Sequence, residues 1–157
     1  MAVMDAKAHR WLVNELDKWR VPVDLMELRK RGPEVFDALV EILEQGQLSA
    51  RQRVNALWAM SELSLYRGTF LARNTVLTRL AKTLVVGDEL ELREAAARVL
   101  VRQFFQQVGH ADLRPLLSAE ELKSLLECAE ALGLSDEVRD GVWSSFNRDT
   151  ARRRPSE

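Results

Sequence analysis

Cysteine is nearly absent from this chain, and the single Cys128 leaves no partner for an internal disulfide. Cys128 lies in SLLECAEAL, where no nearby cation or helix start favours a thiolate, so it is expected to fill core space rather than to react. Histidine is almost as scarce. His9 and His110 fall in different predicted elements, and neither has a second His or Cys at i+3 or i+4 to complete a metal site. An excess of one charge is lacking too: 23 Lys and Arg against 24 Asp and Glu give a net charge of -1, and no global field draws in nucleic acid or anionic lipid. No run approaches the roughly 18 apolar residues of a membrane span. The start, MAVMDAKAHRW, carries charges where a secretory signal needs an apolar stretch, so the expected location is cytoplasmic.

Motifs for chemistry are missing as well. LYRGTF and VVGDEL carry one glycine each, which excludes a glycine-rich phosphate loop, and there is no Gly-x-Ser-x-Gly elbow. The carboxylates of Glu120, Glu121, Glu127, Glu130, Asp136 and Glu137 stand near helix starts or on solvated faces, with no cleft in the sequence to perturb them. The expectation is a protein that is not an enzyme and takes no cofactor or metal.

What is present is a length of 157 residues, 46% of them apolar and 30% charged, the profile of one globular domain that buries a continuous core. Only seven Gly and four Pro punctuate it, and no window sustains strand-like alternation, so the fold class is all-α. Trp11, Leu12, Leu16 and Trp19 share a helical face, and Pro22 ends that run. Gly32-Pro33 closes one helix and starts the next, whose stripe is Val35, Leu39, Ile42 and Leu43. Ser49 to Gln52 and Ser118 to Glu121 have the form of capping boxes. Residues 49–65 are apolar on more than one side, through Val54, Leu57, Trp58 and Leu65 and through Ala56, Ala59, Met60 and Leu63. Residues 90–108 are similar, which predicts neighbours on both flanks of these helices. The domain is expected to span 1–147, with 148–157 a disordered basic tail.

The chain also repeats itself. Gly46 to Arg53, Gly87 to Arg93 and Gly133 to Arg139 each lead into QRVNALWAMSEL, LREAAARVLVRQF and VRDGVWSSF, three versions of one helix about 40 to 47 residues apart. This pattern resembles the second helix of a HEAT or armadillo repeat, best over 33–107 and more weakly over 113–147. Gln52 stands where that family prefers Val, Gly141 and Ser145 thin the third version, and the turn acid recurs only as Asp88 and Asp136. The resemblance implies a right-handed α-α superhelix of about four helix pairs, with outer helices at 5–19, 33–45, 69–86 and 118–132. The inner ones would be 22–31, 49–65, 90–107 and 135–147. It further implies that Arg53, Arg93 and Arg139 brace the repeats through acids such as Asp88 and Asp136. A helical bundle of unrelated topology is the alternative architecture.

Families of this form mostly bind proteins. Following the variable position along the inner helices, the expected partner-binding residues are Trp58, Glu62, Glu94, Arg98 and Arg102, because Trp and Arg dominate interface energetics. Trp58 as core, and Glu94 with Arg98 as an ordinary i, i+4 pair, are the structural alternatives. The functional expectation is a small adaptor or regulatory subunit, monomeric and off the membrane, that binds another protein. A toxin-neutralising immunity protein is one alternative. The other is a nucleic-acid binder using Arg67, Arg73, Arg79, Lys82, Arg93, Arg98, Arg102 and Arg152 to Arg154, although Asp88, Glu89, Glu91 and Glu94 interleave acid among them. Trp11, Trp19 and Trp143 are expected to fill the first and last cores, and their exposure would point to self-association.

Overall fold

The computed structural model describes residues 6–17, 25–31, 33–45, 48–64, 74–108 and 117–153. The chain is all-α, and among the described residues no strand occurs. The helices are α1 (Ala6–Leu16), α2 (Leu25–Arg31), α3 (Pro33–Gln45), α4 (Ala50–Leu63), α5 (Asn74–Leu84), α6 (Leu90–Val108), α7 (Ala119–Leu132) and α8 (Asp136–Arg153). They group into two compact units, Met1–Leu77 and Thr78–Glu157, with the division inside α5, where the sequence reading treats 1–147 as one domain.

In the first unit, Pro33 sits at the first position of α3, where its missing N–H costs nothing. α4 opens on the capping box that Ser49 and Gln52 predict: the Gln52 amide donates to Ser49 Oγ at 3.2 Å, and the Ser49 amide to Gln52 Oε1 at 3.1 Å. Val35, Phe36, Leu39, Ile42 and Leu43 of α3 face a core that Leu12 and Leu16 of α1 and Leu28 of α2 share. α4 is buried at Ala56, Leu57, Ala59, Met60 and Leu63, around most of its circumference, and it touches α1, α2 and α3. One polar contact ties it to α1: the buried Asn55 Nδ2 donates to the Leu16 carbonyl at 2.7 Å, satisfying an acceptor at the end of α1. The Arg31 guanidinium lies 4.1 Å from the centre of the Trp11 ring, so Trp11 is half-buried beneath a cation. Trp19 lies outside the described residues.

In the second unit, α6 is the central helix and packs on both α7 and α8. Its Ala95, Ala96, Ala97, Val99, Leu100 and Phe104 are buried, and the small side chains let neighbouring backbones come close. The α7 stripe is Leu122, Leu126 and Ala129, one helical face at i, i+4 and i+7. Cys128 falls off that stripe and is exposed, which corrects the expectation that it fills the core. Ser118 caps α7 by accepting from the Glu121 amide at 3.0 Å. The helix ends at Gly133, whose φ of 119° is a region side chains rarely adopt, and whose amide reaches the Ala129 and Glu130 carbonyls at 3.0 and 3.1 Å. α8 continues to Arg153 where the sequence predicts an end near 147. No Gly or Pro interrupts 147–153, and Thr150 Oγ1 donates to the Phe146 carbonyl at 2.9 Å.

A basic cleft between α6 and α8

The geometry of α8 against α6 is set at three places. Arg93, only 6% exposed, uses its guanidinium as a clamp on backbone. Its Nε donates to the Gly133 carbonyl at 2.8 Å, Nη1 to the Gly87 carbonyl at 2.8 Å, and Nη2 to the Leu132 carbonyl at 3.4 Å. A cation is thus placed where the last carbonyl of α7 and the turn after α5 present negative partial charge. Next to it, Glu94 Oε2 accepts from the Ser135 amide at 2.7 Å and so holds the start of α8. Farther along, the rings of Phe104 and Phe146 lie 6.2 Å apart, and Trp143 meets Phe146 edge-on at 5.6 Å. The half-buried Trp143 also donates from Nε1 to Glu130 Oε2 at 3.0 Å, fastening α8 to α7.

Between these fixed points the two helices leave a cleft of about 380 Å³. From α6 come Arg98, Val101, Arg102 and Phe105, spaced i, i+3, i+4 and i+7 and therefore on one face. From α8 come Gly141, Val142, Ser145 and Arg148, again one face. Val101 and Val142 are buried and make an apolar floor, while Phe105 stands at the side with 45% of its surface exposed. Three guanidiniums lie around this floor, and no lining residue is acidic. Arg98 is exposed and makes no ion pair among the described residues; Glu94, one turn before it, is taken by the Ser135 amide. The small residues explain the opening. A Cβ added at Gly141 would meet nothing within 4 Å, and Ser145 one turn later is also short.

The cleft offers positive charge, one hydroxyl and apolar area, with no imidazole, thiol or carboxylate in its lining. Among the described residues no group of three or more His, Cys, Asp or Glu is placed to hold a metal ion. No described helix is long and apolar enough to cross a membrane. Comparison with protein-family models, with curated proteins and with solved structures finds no match. The chemistry of the cleft therefore carries the functional reading by itself.

Of the expected partner-binding residues, Arg98 and Arg102 come together here, and Glu94 is engaged in capping α8. Trp58 and Glu62 are half-buried on α4, in the first unit. The arginines expected to brace the repeats take varied partners: Arg53 Nε donates to the Leu48 carbonyl at 3.1 Å, Arg93 takes the three carbonyls, and Arg139 lies 3.3 Å from both Asp136 and Asp140. Asp88 is exposed. Lys82 of the expected basic strip pairs with Glu121 at 3.0 Å, while Arg67, Arg73 and His110 lie outside the described residues. Sequence reasoning missed Phe105, Val101 and Val142 as residues of this cleft. The signal was there in Gly141 and Ser145, which break the repeat pattern by being small, and in the i, i+3, i+4, i+7 spacing that joins Phe105 to Arg98.

Proposed function

We propose that this chain is a non-catalytic protein-binding module, an adaptor or regulatory subunit acting in the cytoplasm as a monomer, and that its contact includes the α6–α8 cleft. The observation that carries the proposal is the lining of that cleft: three arginines around a floor of Val101 and Val142, with Phe105 exposed at its side. Arginine and aromatic side chains supply most of the energy at protein interfaces, and a cleft with charge but no proton-transfer group or nucleophilic thiol suits binding better than catalysis. A HEAT-like stacking of helix pairs is part of the proposal. It is supported by the recurring helix motif and by α4 and α6 each packing on more than one helix.

The test is to isolate the partner on the full-length chain, purify it, and measure its affinity for the native protein and for Arg98→Glu. A drop of at least about 10-fold, roughly 1.4 kcal/mol, is expected if Arg98 is an interface anchor. Unchanged affinity sinks the assignment. The partner's nature also separates the roles: an adaptor returns a resident complex, an immunity protein a single toxic enzyme, and a nucleic-acid binder loses its catch on nuclease treatment.

A further inference from the structure

We infer that a second recognition surface lies at the end of the second unit where the α5–α6 and α7–α8 turns meet, and that it takes a basic amphipathic segment of another protein. The segment's apolar side chains cover Val86, Leu90 and Leu132, and its cations meet the acids around them. The two turns are side by side because Arg93 holds both: one terminal nitrogen reaches the Gly87 carbonyl at 2.8 Å and the other the Leu132 carbonyl at 3.4 Å. Leu90 stands three residues before Arg93 and four before Glu94, whose carboxylate accepts from the Ser135 amide, so it shares the face of α6 turned to the α7–α8 turn. Val86 directly precedes the clamped Gly87. These three side chains are 41%, 47% and 52% exposed, three of the five large apolar side chains so exposed among the described residues. Single exposures are ordinary on a protein surface, whereas a cluster marks a contact site.

Charge complementarity names the occupant. Residues 83–92 and 124–138 contain no Lys, Arg or His, while Asp88, Glu89 and Glu91 flank Leu90 and Glu130, Asp136 and Glu137 flank Leu132. Asp88, Glu91 and Glu137 are exposed and enter no ion pair among the described residues. The arginines that follow these stretches are engaged: Arg93 is 6% exposed and turned to carbonyls, and Arg139 lies 3.3 Å from both Asp136 and Asp140. A basic segment therefore finds uncompensated carboxylates, and an acidic one meets only like charge. Acids at helix starts complement the helix dipole, yet that role does not call for large apolar side chains exposed among them. The start of α7 shows the difference. There Glu121 pairs with Lys82 at 3.0 Å, and the neighbouring Leu117 and Leu122 are buried.

The experiment uses the full chain and a fluorescein-labelled peptide with leucines at helical spacing and lysines elsewhere, followed by anisotropy. Two other probes are compared: the same peptide with glutamate for lysine, and the same with serine for leucine. The basic apolar peptide should bind saturably, with each of the other two at least about 10-fold weaker. Leu132→Ser, Leu90→Ser and Glu91→Lys each change an exposed side chain, and thermal unfolding checks that each variant is folded. Each should weaken the peptide at least about 10-fold. Glu120→Lys, the same charge reversal in the first turn of α7, should alter binding by less than about 2-fold.

Absence of saturable binding overturns the inference. So does equal binding of the glutamate peptide, equal binding of the serine peptide, folded variants that bind as the native chain does, or a Glu120→Lys loss as large as that of Glu91→Lys. Sedimentation of the chain alone should give a monomer at every concentration; a dimer broken by Leu132→Ser would assign the patch to a second copy and overturn the basic segment. The patch shares no residue with the lining of the α6–α8 cleft, so its failure leaves the reading of that cleft standing.

Discussion

Replacing Arg93 by Met should destabilise the second unit far more than any acid in the adjoining turn does. The side chain is 6% exposed and donates to three backbone carbonyls, two of them at 2.8 Å. Hydrogen bonds to a charged donor contribute roughly 1.5–3 kcal/mol each, so the two short ones set a ceiling of roughly 3–6 kcal/mol. Gly87 and Gly133 are half-buried, and water recovers part of that loss, which leaves an expected cost of roughly 2–4 kcal/mol. Methionine keeps most of the aliphatic stem, so the cost comes chiefly from the guanidinium. Arg93→Lys should fall between, because an ammonium keeps the charge near the helix end but lacks the fork that spans Gly87 and Gly133. Urea unfolding followed by far-UV circular dichroism measures the difference, and thermal unfolding should show a fall of roughly 5–15 °C. Asp88→Asn is the discriminating control. Asp88 is exposed and should cost less than about 1 kcal/mol, the scale of a charge near a helix start. If Arg93→Met changes stability by less than about 0.5 kcal/mol, as surface substitutions do, or if Asp88→Asn costs as much, the carbonyl clamp is wrong.

Asn55→Ala removes the buried donor from the Leu16 carbonyl and should cost roughly 1–3 kcal/mol; a urea midpoint unchanged from the native chain would contradict that link between α4 and α1. The two glycines should respond with opposite sign: Gly133→Ala is expected to cost roughly 1–2 kcal/mol because its φ is 119°, whereas Gly141→Ala should stabilise by up to about 1 kcal/mol, being in open space mid-helix. Melting temperatures moving the same way would refute the cap geometry. Cys128 should react with a thiol reagent in the native protein at nearly the rate seen in denaturant, and strong protection would return it to the core.

Much of the helical order was legible because local signals and tertiary packing agree. Gly32-Pro33 marks the start of α3, the Ser49 and Gln52 pair closes as a capping box, and the multi-sided apolar patterns of 49–65 and 90–108 belong to α4 and α6, each with several neighbours. Ends without strong punctuation were less legible. α8 outruns its predicted end because 147–153 offers neither Gly nor Pro, and a run poor in apolar residues reads as a tail until its backbone is seen to close. Cys128 was misread because a small apolar-like residue in SLLECAEAL suits either side, and only the register of Leu122, Leu126 and Ala129 settles which side is buried. Following the variable position of the repeat gave Arg98 and Arg102. The union of Val101 and Phe105 with Val142 required knowing that α8 lies against α6, a long-range contact no local pattern encodes. The resemblance implies that Arg93 braces repeats through acids such as Asp88 and Asp136; its acceptors are instead the carbonyls of Gly87, Leu132 and Gly133, which are invisible to side-chain patterning.

The most direct test of the binding cleft is a backbone amide NMR titration of the isotope-labelled full chain with its purified protein partner. The account predicts progressive shifts concentrated at Arg98, Val101, Arg102 and Phe105 and at Val142, Ser145 and Arg148. Shifts centred on α1 to α4, or a spectrum that stays unchanged as the partner saturates, would contradict it.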